Sequence, residues 1–182
     1  MYDDGLRAFL IKAKADTYAA QRGFVEPGRP GCKDLRYAEG PYEYLDSYAG
    51  ERDFSGQELV YRDGRVVWSM NYYGAMLADG LPEGFIETLR EALKLAALAE
   101  PYRGPRSYDR APYSYKSVVQ GELTMYNGIE EIYLADKPVY RLYFHGGALA
   151  FNQALRGAAG SPAPAAFRRR RRKPAAGAAS KH

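Results

Sequence analysis

Apolar residues recur at spacings of three and four in two segments of the chain, which is the pattern of amphipathic helices. The segments cover residues 4–22, ending near Gly23, and residues 82–99, beginning at Pro82. Their apolar faces consist of Leu6, Phe9, Leu10 and Ala13 in the first segment and Phe85, Ile86, Leu89 and Leu93 in the second. We therefore predict two helices.

The remaining segments are rich in aromatic and β-branched residues, which favour strands. Strands are predicted over residues 35–74 and 113–145, with loops over residues 23–33 and 102–112. Turn signals occur at Asp63-Gly64, Asn127-Gly128 and Asp136-Lys137-Pro138. Together these elements predict an α+β fold, a twisted antiparallel sheet of about six to seven strands with both helices packed on one face.

The C-terminal segment differs in composition from the rest of the chain. Residues 155–182 are mostly Ala, Gly, Pro, Ser and Arg, so we expect a disordered basic tail behind a single domain of residues 1–154. Seven of the 26 Lys and Arg lie beyond residue 167, which leaves 19 against 22 Asp and Glu, a body of charge −3. The tail predicts weak, non-specific association with nucleic acid or an anionic surface through Arg168, Arg169, Arg170, Arg171, Arg172 and Lys173.

Several classes of protein are disfavoured by what the sequence lacks. A single cysteine, Cys32, allows no internal disulfide, and no apolar run is long enough to span a membrane. The acidic N-terminus is unlike a secretory signal, so we expect a cytoplasmic protein. GxGxxG, GxxxxGK[ST], HExxH and GxSxG motifs are absent, and we assign no cofactor and no metal; Asp46 with Glu131 is the pair that could hold one.

The turn at Asp63-Gly64 fixes a pairing register for the strands beside it. The predicted pairs are Leu59 with Trp68, Glu58 with Ser69, and Gly56 with Asn71. Alternation then gives a helix-covered face with Leu59, Tyr61, Val66, Trp68, Met70 and Tyr72, and an open face with Gly56, Glu58, Val60, Val67, Ser69, Asn71 and Tyr73. Short polar side chains around a glycine indicate a pocket floor, and an ordinary sheet surface is the alternative.

Two further strands add tyrosines and single ionisable residues to this open face. The predicted ligand-binding residues are Tyr44, Asp46, Tyr48, Ser69, Asn71, Tyr73, Arg103, Arg141 and Tyr143. Glu58 and His145 are the candidate acid or base residues. We expect a sensor-like domain that binds a small molecule; the alternatives are a small acid–base enzyme using Glu58 or His145, and an oligomeric scaffold such as a homodimer with a nucleic-acid-associating tail.

Several short segments, taken in their order along the chain, resemble those of a bacterial family of unknown function. They include Phe54-Ser55-Gly56-Gln57-Glu58, Trp68-Ser69-Met70-Asn71-Tyr72-Tyr73-Gly74, Tyr102-Arg103-Gly104-Pro105 and Phe144-His145-Gly146-Gly147. The resemblance covers about residues 6–150, and the family's domain occurs alone or behind a helix-turn-helix in Xre-type regulators. It implies a compact sensor-like or small enzymatic domain in the bacterial cytoplasm.

Overall fold

The computed structural model describes residues 4–150, which form mainly one antiparallel sheet with two helices. The elements are α1 Asp4–Asp16, β1 Phe24–Val25, β2 Lys33–Glu39, β3 Tyr42–Gly50, β4 Asp53–Arg62, β5 Arg65–Met76, α2 Phe85–Lys94, β6 Ser107–Arg110, β7 Tyr113–Glu122, β8 Met125–Leu134 and β9 Lys137–Ala148. A short 3₁₀ turn, Tyr18–Ala20, follows α1. The predicted boundary at residue 154 and the predicted disorder of residues 155–182 lie outside the described residues.

The sheet consists of two meanders that meet at its centre. Strands β1 to β5 pair in chain order, β9 pairs with β5, and β8, β7 and β6 follow outward. All of these pairs are antiparallel. The connection from β5 in the centre to β6 at the far edge contains α2. Among residues 4–150, no helix is long and apolar enough to cross a membrane.

The predicted α+β fold of six to seven strands with both helices packed on one face is wrong. The sheet has nine strands, because the segments predicted as loops contain β1 and β6. The helices are also too short to form a layer: 13 and 10 residues give lengths of about 20 and 15 Å, whereas nine strands span about 40 Å. Instead, α1 contacts β2, β3 and α2, while α2 contacts β7 and the 3₁₀ turn.

The first helix stops six residues before its predicted end. At Thr17 the hydroxyl donates to the carbonyl oxygen of Ala13 at 2.7 Å, and the chain tightens into the 3₁₀ turn. Gln21 then adopts a left-handed conformation with φ of 56°, which a helix cannot continue. The apolar spacing through residue 22 therefore extends beyond the helix itself.

A β-bulge changes which side chains of β4 face the helices. The turn at Asp63-Gly64 is confirmed, with φ of 50° and 75° at its two residues. The pairing then shifts by one residue, so that Val60 rather than Leu59 lies opposite Trp68. Such a shift moves side chains to the other face of the sheet relative to their neighbours, so the predicted division of this hairpin into two faces is wrong.

We call the side of the sheet that carries the buried residues the covered face and the other side the open face; α1 and α2 are too short to cover more than part of the first. The covered face carries Tyr44, Asp46, Glu58, Val60, Trp68, Met70, Tyr72, Glu130, Ile132, Tyr140, Leu142 and Phe144, all buried. The open face carries Ser69, Asn71, Tyr73, Arg141, Tyr143 and His145. The carboxyl groups of Asp46 and Glu58, which we expected on an open surface, therefore lie in the protein interior.

Glycines on the covered face lie opposite aromatic residues of the neighbouring strand. The pairs are Gly56 with Tyr72, Gly74 with Phe54, and Gly128 with Phe144. A Cβ atom on Gly128 would lie 2.3 Å from Cζ of Phe144, so the ring occupies the space that a side chain would need. The predicted turn at Asn127-Gly128 is wrong, because both residues are inside β8 and the turn lies at Leu123-Thr124.

The substitution Gly128→Ala is expected to lower the free energy of unfolding by about 1 to 3 kcal/mol, because the new methyl group overpacks the site beneath Phe144. Urea unfolding measures this loss. Gly80→Ala serves as the control, since nothing lies within 4 Å of its Cβ position, and it should change stability by less than about 0.5 kcal/mol. Equal losses in the two variants would contradict the packing described here.

Candidate functional site

A cavity of about 420 Å³ lies between the covered face and the helices. This volume is within the range of about 300 to 1,000 Å³ that is typical of small-molecule sites. Its apolar and aromatic wall includes Tyr18, Tyr44, Tyr48, Phe54, Tyr72, Leu89, Leu93 and Tyr140, and its ionisable residues are Lys14, Lys33, Asp46, Glu51, Glu58, Arg90 and Arg103. The cavity thus combines a mainly apolar wall with charged groups that could orient a ligand.

The structure separates the eleven predicted site residues into two groups. Five of them line the cavity, namely Tyr44, Asp46, Tyr48, Glu58 and Arg103. The other six lie on the open face, namely Ser69, Asn71, Tyr73, Arg141, Tyr143 and His145. The predicted convergence on one open surface is therefore not found, and the bulge between β4 and β5 is the reason.

The open-face residues interact mainly with one another and with solvent. Arg141 donates from Nε to Glu131 at 2.7 Å, and Gln57 donates to Oδ1 of Asn71 at 2.9 Å. His145 is exposed on this face, whereas Glu58 is buried on the other, so the two candidate acid–base residues cannot act at one site. Asp46 and Glu131 are separated in the same way, which excludes them as a shared metal pair.

The gap that we predicted above Gly56 is filled by protein. A Cβ atom on this glycine would lie 2.3 Å from the Tyr72 hydroxyl oxygen, so the tyrosine side chain lies across it. This position brings the hydroxyl of Tyr72 to Asp46, where it donates a hydrogen bond to Oδ1 at 2.7 Å. Gly56 therefore makes room for a side chain that orients a cavity residue.

A buried ion pair joins α1 to the sheet in the cavity wall. The ammonium group of Lys14 donates to Oε2 of Glu58, and their side chains are only 7% and 2% exposed. Burial lowers the pKa of Lys14, while the negative charge of Glu58 opposes that shift. Lys14 lies outside the apolar positions that predict α1, so the sequence pattern does not identify it as a site residue.

Asp46 lies directly opposite Glu58 in the register of β3 and β4. Burial, followed by the negative charge of Glu58, raises the pKa of Asp46 to about 7. Lys14 compensates Glu58 by direct contact, and Asp46 itself forms no ion pair with any of residues 4–150. Asp46 is therefore a buried carboxyl group whose pKa lies near neutral pH.

A second buried ion pair supports the far side of the cavity. Arg103 donates from Nε and Nη2 to the two carboxylate oxygens of Glu130, each at 2.9 Å. Tyr115 and Tyr140 also donate to this carboxylate, at 2.7 and 3.1 Å. Burial acts to lower the pKa of Arg103, but Glu130 outweighs it and the pKa is raised. This network holds Arg103 in place as part of the cavity wall.

Arg90 of α2 also lines the cavity, and no carboxylate among residues 4–150 compensates its charge. Its Nε atom is buried without a hydrogen-bond partner, and the residue forms no ion pair within the described part of the chain. A buried donor without an acceptor is uncommon and calls for a partner. Arg90 lies outside the apolar face that the sequence predicts for this helix, and no motif marks it.

The predicted partners outside the cavity stay predictions. The arginine-rich run that we expected to associate with nucleic acid lies outside the described residues. The predicted homodimer likewise has no test in the single chain described here.

Comparison with known proteins gives one match. No curated protein and no solved structure matches the chain significantly. Residues 46–149 match the family described as a domain of unknown function, DUF5680. The matched segment contains Asp46, Glu58, Arg90 and Arg103 and begins after Lys14. Because it makes up more than half of the sequence, the chain belongs to the DUF5680 family.

Proposed function

We propose that the chain is a small-molecule-binding domain whose ligand occupies the cavity between the covered face and the helices. The observation that carries this proposal is the set of ionisable side chains around the cavity, which do not all neutralise one another. Isolated charges buried in a protein are costly, and perturbed ionisable groups in clefts are common at functional sites.

Unused hydrogen-bonding groups support the same proposal. Tyr18, Tyr44 and Tyr48 line the cavity, and their hydroxyl groups hydrogen-bond to none of residues 4–150. Protein interiors are normally close-packed, and a cavity of this size weakens a purely structural core. A ligand that fills the space and accepts these hydrogen bonds would remove both costs.

A thermal-shift screen of metabolites grouped by charge tests the proposal. A ligand present at a hundred times its Kd should add about 2.7 kcal/mol of stability. For a chain of this size, that gain corresponds to an increase in Tm of about 5 to 10 °C. The variant Leu93→Trp should lose this response, because the indole ring is larger than the leucine side chain and occupies space in the cavity. Tyr73→Phe on the open face should keep the response. A ligand response that survives in Leu93→Trp contradicts the proposed location.

A second candidate function is acid–base catalysis on the bound compound. The pKa of Asp46, raised to about 7, favours it, because a general acid or base works best when its pKa is near the working pH. In that case Asp46→Asn and Glu58→Gln would retain binding and abolish turnover. His145→Ala serves as the control, because His145 is exposed on the opposite face. Unchanged turnover in both cavity variants would dismiss catalysis by the carboxyl pair.

A sensor role is the form of binding that the family resemblance supports. Domains of the bacterial family that the sequence resembles stand alone or follow the helix-turn-helix of Xre-type regulators. In such a regulator, a bound metabolite would serve as the signal. We propose that this sensor acts in the cytoplasm of a bacterium.

A further inference from the structure

Two ionisable side chains around the cavity lack an opposite charge, and their signs differ. The other charged residues of the wall form pairs, namely Lys14 with Glu58, Arg103 with Glu130, and Lys33 with Glu51 at a distance of 3.8 Å. Asp46 and Arg90 form no ion pair with any residue in the range 4–150. The cavity therefore presents one acidic and one basic group that no opposite charge within residues 4–150 neutralises.

Asp46 and Arg90 belong to different walls of the cavity, since Asp46 lies on β3 and Arg90 on α2. Both of them act on the same two phenols. Burial raises the pKa of Tyr18 and of Tyr48, and in each case Asp46 adds to the increase while Arg90 opposes it. Tyr18 and Tyr48 line the same cavity as these two charged groups.

We propose that the ligand is a zwitterion, whose ammonium group binds at Asp46 and whose carboxylate binds at Arg90. This inference rests on the proposed function of the cavity. A carboxylate would supply the acceptor that Nε of Arg90 lacks, in the bidentate geometry that a guanidinium favours. An ammonium group would neutralise Asp46, and the surrounding tyrosine rings also attract cations.

Ligands with a single charge fit the cavity less well. An anion would occupy Arg90 but leave Asp46 without an opposite charge, in register with Glu58 on the neighbouring strand. A simple amine would leave the buried Nε of Arg90 without an acceptor. The cavity wall also includes Tyr48, Leu89 and Leu93, which favours a ligand with an apolar or aromatic side chain. Amino acids and their close relatives combine these features.

Proton release gives the inference a specific signature. The charged and titratable groups that act on Asp46 are Lys14 from α1, Glu58 from β4, Tyr72 from β5 and Arg103 from the segment after α2. An ammonium group at Asp46 favours its ionised form, so binding displaces the proton that the empty site holds below pH 7. The affinity should therefore rise about tenfold from pH 6 to pH 8, as the ionised fraction of Asp46 rises.

Calorimetry with matched compounds tests the inference on the unmodified chain. The probes are L-phenylalanine, phenethylamine without the carboxylate, and 3-phenylpropanoate without the ammonium group; L-leucine and 6-aminohexanoate vary the side chain and the charge spacing. At least one zwitterion should bind at least about tenfold more tightly than either singly charged analogue, which corresponds to about 1.4 kcal/mol. The analogues need no substitution, so this comparison stands even where a variant fails to fold.

Variants then assign each charge. Arg90→Gln should remove the preference for a carboxylate and Asp46→Asn the preference for an ammonium group. Their controls are Lys94→Gln on the same helix and Asp109→Asn on β6, both exposed, which should change neither preference.

The outcomes distinguish this inference from the proposed function. Equal binding of zwitterionic, singly charged and neutral compounds overturns the zwitterion while the cavity stays a ligand site. Tight binding of another class of compound from the wider metabolite screen, with no zwitterion bound, also overturns the zwitterion and leaves the cavity as a ligand site. The absence of any binding in both sets of compounds overturns the inference and the proposed function together.

Discussion

Replacing Asp46 by asparagine is expected to stabilise the unliganded protein at pH 8 by about 2 to 4 kcal/mol. The pKa of Asp46 is raised from its usual 3.8 to about 7, first by burial and then by Glu58, and each pKa unit corresponds to about 1.4 kcal/mol. Stability from the protonated carboxyl is complete below pH 3.8 and is lost as the pH rises through about 7. Asparagine stays neutral, so it avoids that loss.

Urea unfolding of both proteins at pH 4 and pH 8 measures this effect. The gain should fall to about 0.6 kcal/mol at pH 4, where Asp46 is protonated in the folded state and about 40% protonated in the unfolded state. Asp109→Asn, at an exposed position, should show no comparable pH dependence. A variant that is less stable than the native protein at pH 8 would contradict the raised pKa of Asp46 in the folded chain. The expected gain fits a residue retained for binding, since functional sites commonly reduce stability.

Replacing Glu130 by glutamine is expected to lower the free energy of unfolding by about 3 to 5 kcal/mol, the usual cost of breaking a buried ion pair. Glu130 is fully buried, and its carboxylate neutralises Arg103 through two hydrogen bonds. Glutamine cannot neutralise the guanidinium, and it replaces one of the acceptor oxygens with a donor. The same chemical denaturation at neutral pH measures the loss.

The adjacent residue supplies a matched control. Glu131 is also paired with an arginine, Arg141, but on the partly exposed open face. Glu131→Gln should cost no more than about 1 kcal/mol, the usual value for such pairs. Similar losses for the two glutamates would contradict the assignment of Glu130 to a buried network. The double variant Arg103→Met with Glu130→Leu should recover part of the loss, because it removes both charges together.

Much of the local structure could be predicted from sequence because short-range chemistry determines it. Both helices have their apolar faces where the spacing of residues such as Leu10 and Leu89 predicts them. The hairpin turn follows from Asp63-Gly64, since Gly64 readily adopts positive φ and aspartate tolerates it. The cavity residues Tyr44, Asp46, Tyr48, Glu58 and Arg103 were also among those predicted.

The division of the sheet into faces could not be predicted, because the bulge leaves no mark in the sequence. The extra residue on β5 is Val67, which lies between Val66 and Trp68. Valine suits either face of a sheet, so alternation through this stretch is compatible with two registers. Pairing with β9 and burial of Trp68 choose between the registers, and neither is visible within the hairpin itself.

The two helix residues of the site were missed for a different reason. A lysine or arginine beside an apolar stripe normally faces solvent, and that interpretation holds for Lys94 of α2. Lys14 and Arg90 instead face a cavity whose other wall is distant in the sequence, with Glu58 lying 44 residues from Lys14. Only the tertiary structure shows that Lys14 pairs with a buried carboxylate and that Arg90 lines the same cavity.

Chemical-shift mapping by NMR, with a compound that raises Tm, tests the central claim most directly. Saturable shifts should occur at Asp46, Tyr48 and Arg90, around the cavity beneath the helices. Shifts confined to Tyr143 and His145 on the open face would contradict the claim that the cavity is the ligand site.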